Sequence, residues 1–81
     1  MDNRVAVISI IVEDSNAVNE LNTLLHKYGQ YIIGRLGIPY RDKKINIICV
    51  AIDAPNDSIN ALTGALGRIT GINAKATYSN V

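Results

Sequence analysis

The sequence predicts an α+β sandwich, a four-stranded antiparallel sheet with two helices packed on one of its faces. Three observations carry that prediction. Two runs, VAVISIIVE from Val5 and KINIICVAID from Lys44, are β-branched and apolar on both alternating faces, the composition of strands covered on two sides. Each is followed by cap-forming residues and then by apolar residues at helical spacing. Those two stripes, Val18, Leu21, Leu25, Tyr28 and Ile59, Leu62, Leu66, Ile69, repeat one pattern at an offset of 41 residues.

The first strand runs from Arg4 to Glu13, with Ala6, Ile8, Ile10 and Val12 on one face and Val5, Val7, Ser9 and Ile11 on the other. Asp14, Ser15 and Asn16 are three N-cap residues in succession, and the first helix spans Ser15 to Tyr28, stopped by Gly29. Asn19, Asn22 and His26 take its wet side. Tyr31 to Tyr40 (YIIGRLGIPY) reads as an edge strand, because Gly34, Gly37 and Pro39 suit an edge or a bulge. The charged turn Arg41-Asp42-Lys43-Lys44 returns the chain as a hairpin into the second apolar strand.

Pro55 ends that strand and suits the first turn of a helix. Asn56, Asp57 and Ser58 crowd the helix start with acceptors for its unpaired N–H groups. Gly64 and Gly67 lower the helicity of this segment by about 1 kcal/mol each relative to alanine and leave room for a neighbouring backbone. Thr70-Gly71 is the turn into a half-buried last strand, Ile72 to Tyr78. Two βαβ halves with right-handed crossovers give one sheet with both helices on one side, the ferredoxin-like βαββαβ sandwich, with the two apolar strands central.

Eighty-one residues, 48% hydrophobic with a mean hydropathy of +0.15, make one domain near the lower size limit for a self-sufficient core. The apolar runs are too short to span a membrane, and the charged start MDNR leads into a strand rather than a secretory signal. With 8 basic and 7 acidic residues, net +1, no global field recruits nucleic acid or a membrane surface. A single cysteine, Cys49, excludes an internal disulfide and fits a reducing cytoplasm.

A monomer of this fold turns its helix-free sheet face to water, and that face normally alternates to polar. Here it would carry Val5, Val7, Ile11, Ile45, Ile47 and Ala51, on the order of several hundred Å² of apolar surface. The expectation is a homo-oligomer, dimer or tetramer, assembled through the sheet face.

Little else points to chemistry. Cys49, among apolar neighbours, reads as a small buried hydrophobe. His26, near the end of the first helix, reads as a solvated side chain favoured by the helix dipole. One His and one Cys are too few for a metal site within one chain, and no cofactor is expected. No P-loop, nucleophile elbow or pair of catalytic acids is present, so no catalytic residues are assigned. Arg35, Arg41, Lys43 and Lys44 read as a solvated hairpin tip, without the aromatic interleaving of an RNA-binding sheet. Asp14, Asp53 and Asp57 fall at strand-to-helix turns and read first as caps. The same turns offer free N–H groups to a ligand carboxylate or phosphate. Asp14, Ser15, Asn16, Asn56, Asp57 and Ser58 are therefore the candidate effector-binding residues.

Taken whole, and most specifically in IGRLGIPYRDKKINIICVAIDAPNDSINALTGALGRITG from Ile33 to Gly71, the chain resembles the iron-only hydrogenase system regulators. VAVISIIVEDSNAVNELNTLLHKYG carries the resemblance through the N-terminal half. It implies a ferredoxin-like domain related to ACT domains and to the sensor domain of the nickel-responsive repressor, relatives that assemble through their sheets and hold small effectors between subunits. It also implies a non-enzymatic role in transcriptional or system-level control. Two further readings follow from it, a nickel or iron sensor and a direct DNA binder. The first turn reads Asp14-Ser15-Asn16-Ala17, without the glycine of amino-acid-binding ACT domains, and His26 and Cys49 are fewer than the nickel sensor's ligands. No helix-turn-helix or ribbon is present to enter a groove, so DNA contact is expected only indirectly, through a partner.

Overall fold

The structure, a computed structural model, describes residues 2–80. β1 (Asn3–Val12) and β3 (Ile45–Pro55) occupy the centre of one sheet, flanked by β2 (Ile32–Tyr40) and β4 (Ile72–Tyr78) in the order β2-β3-β1-β4. Every ladder is antiparallel. α1 (Val18–Lys27) follows β1 and α2 (Asn56–Gly67) follows β3, giving the expected ferredoxin-like order.

The period of two decides which side chains meet the helices. Ala6, Ile8, Ile10 and Val12 of β1 are each no more than 1% exposed, and Ile48, Val50, Ile52 and Ala54 of β3 join them. Leu21 and Leu25 of α1 and Ile59, Leu62 and Leu66 of α2 close the same core, so both helices lie on one face. Each of these large side chains contributes on the order of 1.5–3 kcal/mol on burial. The repeated stripes thus meet one shared interior.

The boundaries differ where turn chemistry intervenes. Ser15–Ala17 is a single 3₁₀ turn capped by Asp14, whose side chain accepts from the Asn16 N–H, and the α-helix begins only at Val18. Gly29–Tyr31 forms another 3₁₀ turn, so β2 starts at Ile32. Pro55 is the last residue of β3 rather than part of the helix. The start of α2 has no side-chain cap, so Asn56, Asp57 and Ser58 do not make the expected capping bonds there. Asp53 is likewise not at a turn; it lies within β3 opposite Val5. Gly67 has nothing within 4 Å of an added Cβ and Gly64 only the Arg68 guanidinium, so neither admits a neighbouring backbone.

The helix-free face is apolar across three strands. Along β3 and β1 it pairs Ala51 with Val7, Cys49 with Ser9 and Ile47 with Ile11. Across β2 and β3 it pairs Leu36 with Cys49, Ile38 with Ile47 and Tyr40 with Ile45. β4 turns a row of polar residues this way, with Asn73, Lys75 and Thr77 opposite Ile11, Ser9 and Val7, while β1 and β3 contribute Ser9 and Asp53. Leu36 is 59% exposed and Val7 43%. Cys49 is therefore half-buried on this open face, not in the core. Its parity with Ile47 and Ala51 puts it there, because a strand apolar on both sides offers no polar residue to mark which side is which.

Candidate functional site

The end of the sheet where β1 runs into α1 is also where the β2–β3 hairpin turns. Val12 pairs with Asn46, and Pro39 pairs with Asn46 from the other side. Arg41–Lys43 makes a 3₁₀ turn, and Lys44 closes it with a left-handed backbone, φ 55°. This register brings the hairpin tip against the Asp14 turn. Between them lies an open cleft of about 410 Å³. Glu13, Asp14 and Ser15 form one wall, Tyr40, Arg41 and Lys44 another, and Ile45 and Asn46 contribute from β3. Among the described residues, the side chains of Glu13, Arg41 and Lys44 make no hydrogen bond or ion pair within the chain. Two carboxylates, a hydroxyl, a phenol and two cations thus face a solvent-filled space able to accept polar groups of either charge.

The Asp14 turn is held from behind. Gly71, with φ 87°, packs against it, and the Glu13 N–H donates to the Gly71 carbonyl at 2.7 Å. On the far side of the turn a second cleft of about 400 Å³ is lined by Asp14, Asn16, Glu20 and Arg68. A third, of about 270 Å³, runs between α1 and β2 past Val18, Asn22, Gly37, Pro39 and Ile48. Arg35 is fixed in it by donating to Asn22 Oδ1 at 2.7 Å, so it stands apart from the cations of the hairpin tip.

The six candidate effector residues fall into two groups. Asp14 and Ser15 line the hairpin cleft, and Asn16 lines the cleft behind it. Asn56, Asp57 and Ser58 sit at the opposite end of the sheet, because β1 and β3 are antiparallel and Pro55 pairs with Asn3. Nine steps of about 3.4 Å, near 30 Å, separate the two ends. In the sequence Arg41 and Lys44 read only as a hairpin tip and Tyr40 only as the end of the edge strand; the register that carries them to Asp14 is not written in local sequence. His26 is exposed on α1, while Cys49 is on the helix-free side of the sheet, so the two lie on opposite sides of it. Among the described residues no group of three His, Cys, Asp or Glu side chains is placed to hold a metal ion. No described helix is long and apolar enough to cross a membrane.

Residues 4–76 match the model of a family described as "TM1266-like: Iron-only hydrogenase system regulator, putative". The chain belongs to this family. Among solved structures, this TM1266-like chain is similar to the uncharacterized protein TM1266 from Thermotoga maritima, at 33% identity over 95% of this chain and 98% of that one, with a TM-score of 0.91. Two more distant likenesses concern the fold alone. The ACT domain of a GTP pyrophosphokinase from Chlorobium tepidum is 22% identical, with a TM-score of 0.78 over 93% of this chain and 99% of that one. A formyltetrahydrofolate deformylase from Pseudomonas putida KT2440 is 15% identical, with a TM-score of 0.70, over 95% of this chain but 29% of that one. A search of curated proteins returns no match.

Proposed function

We propose that this TM1266-like chain is a non-enzymatic cytoplasmic regulatory domain, working as a homo-oligomer whose state is set by a small effector bound beside Asp14. The hairpin cleft carries the reading. It gathers Arg41 and Lys44 opposite Glu13 and Asp14 without pairing them to one another, leaving their charges available to a ligand. The cations favour a small molecule bearing a carboxylate or phosphate, and the carboxylates and Ser15 select its remaining polar groups. Family membership supports a regulatory role, and the ACT-like fold is compatible with one. Control of transcription then runs through a partner protein, consistent with a net charge of +1 and with basic residues gathered at one hairpin tip. Nickel or iron sensing within one chain is disfavoured by the opposite placement of His26 and Cys49.

Thermal-shift screening against small carboxylates and phosphate esters tests this. A ligand at a hundred times its dissociation constant stabilises the native state by about 2.7 kcal/mol. The shift is expected to vanish in Arg41→Ala/Lys44→Ala and to survive in Asn56→Ala/Asp57→Ala/Ser58→Ala. A shift lost only in the second variant moves the site to the other end of the sheet, and no shift from any compound contradicts the effector reading.

A further inference from the structure

Between α1 and β2 the sandwich is left open. The inward positions of β2 are Arg35, Gly37 and Pro39, paired with Val50, Ile48 and Asn46 of β3. None of the three supplies the large aliphatic side chain that fills the same layer in β1 and β3. An added Cβ on Gly37 would meet nothing within 4 Å, so no part of the chain occupies the space above it. Ile48, directly across the ladder, keeps 7% exposure, whereas Val50, Ile52 and Ala54 farther along β3 keep none. Ile48 is thus the floor of the cleft of about 270 Å³, with Val18 and Asn22 of α1 on one side and Arg35 and Pro39 of β2 on the other.

The charge of this cleft is of one sign. Arg35 donates to Asn22 Oδ1 at 2.7 Å, and among the described residues its guanidinium has no other hydrogen bond and no ion pair. No Asp or Glu lines the cleft, and its other polar side chains are the amides of Asn22 and Asn46. A guanidinium presents its N–H groups in a planar fork that suits the two oxygens of a carboxylate. Here the bond to Asn22 holds that fork in place and leaves its remaining donors free, which lowers the ordering cost of binding. We propose that the α1–β2 cleft binds a small apolar carboxylic acid, with its carboxylate on Arg35 and its hydrocarbon part over Gly37 and Ile48.

The lining narrows the ligand further. Arg35 is the one charged side chain on it, which matches a singly charged acid rather than a doubly charged phosphate ester. The ammonium of an α-amino acid would find no carboxylate to pair with, so the site prefers the acid that lacks the amine. The cleft is just under the roughly 300–1,000 Å³ of drug-sized ligand sites, which limits the apolar part to a short branched chain or a single ring. This site goes beyond the effector reading. Pro39 and Asn46 border both clefts, but the hairpin cleft draws its charges from Glu13, Asp14, Arg41 and Lys44, and this one from Arg35. Among the described residues the Arg35–Asn22 bond is the only hydrogen bond joining α1 to β2, so an acid seated there ties the edge strand to the helix layer.

The test titrates the isotope-labelled intact chain with isovalerate and follows its amide resonances, with isovaleramide and valine as matched compounds. Isovaleramide removes the charge, and valine adds an α-amino group to the same skeleton. Isovalerate is expected to shift the amides of Val18, Asn22, Gly37 and Ile48 saturably. Isovaleramide should bind at least about tenfold more weakly, having lost the charged hydrogen bonds, and valine likewise, having an ammonium without a partner. Arg35→Gln should weaken isovalerate by a similar factor. Gly37→Val fills the cleft with a residue that suits a strand, and should abolish binding without loss of stability. Should that variant not fold, Arg35→Gln, at an exposed position, decides alone. Shifts around Asp14 and Lys44 that are lost in Arg41→Ala/Lys44→Ala and kept in Arg35→Gln put the acid in the hairpin cleft, which upholds the effector reading and overturns this site. No saturable shift with isovalerate, or equal binding of isovaleramide or valine, overturns this site and leaves the hairpin cleft to its own test.

Discussion

Gly71 and Asp14 are packed so closely that a methyl group on the glycine would lie 2.5 Å from the Asp14 Cβ. The Gly71 backbone is also left-handed, at φ 87°, and its carbonyl accepts from the Glu13 N–H. The turn into β4 therefore fixes the turn out of β1, and with it one wall of the cleft.

Gly71→Ala is expected to destabilise the fold by about 1–3 kcal/mol, through backbone strain and displacement of Asp14. Gly67→Ala, with open space around it at the end of α2, is expected to stabilise by about 0.5–1 kcal/mol. Urea denaturation of the two variants checks the opposite signs.

Asp14 and Ser58 separate a cap that is made from one that is not. The Asp14 carboxylate accepts from the Asn16 N–H at 3.0 Å, whereas α2 begins without a side-chain cap. Asp14→Ala should cost about 1 kcal/mol of stability. Ser58→Ala should stay within about 0.5 kcal/mol, read by the same denaturation curves.

Neighbouring residues of β1 answer to different demands. Ile8 is fully buried beneath the helices, and Ile8→Ala is expected to cost about 2–5 kcal/mol in any assembly state. Val7 is on the open face, and Val7→Ala should change the stability of the separated chain by less than about 1 kcal/mol while weakening self-association. Denaturation combined with sedimentation at several concentrations distinguishes the two effects.

β4 is tied to its surroundings by Tyr78, whose hydroxyl donates to Asn60 Oδ1 at 2.6 Å and whose ring stacks under the Arg4 guanidinium at 4.4 Å. Tyr78→Phe is expected to lose about 0.5–1.5 kcal/mol. Arg4→Ala should lose about 0.5–1 kcal/mol. Hydrogen exchange at the amides of β4 should accelerate in both.

The topology was legible because its signals are local and periodic. Alternation sorted Ala6, Ile8, Ile10 and Val12 from Val5, Val7 and Ile11, and the repeated stripes fixed which helix faces turn inward. Pro39 and two glycines marked β2 as an edge, but they drew attention away from Leu36, Ile38 and Tyr40, which extend the apolar face. The apolar neighbours of Cys49 read as core, but the pairing register puts its side chain on the helix-free face. The site was half legible. Asp14 and Ser15 announced themselves as a turn, while Tyr40, Arg41 and Lys44, some 25 residues on, join them only through the antiparallel pairing of β1, β3 and β2. Antiparallel order also sends Asn56, Asp57 and Ser58 to the far end, which no local pattern reveals.

Native mass spectrometry of the chain purified from its own host addresses the central claim most directly, since it weighs the assembly and any retained small molecule together. The expected spectrum shows twice or four times the 8.8 kDa subunit, with added mass that disappears in Arg41→Ala/Lys44→Ala. A bare 8.8 kDa species at high protein concentration would contradict the account of an assembling, effector-responsive regulator.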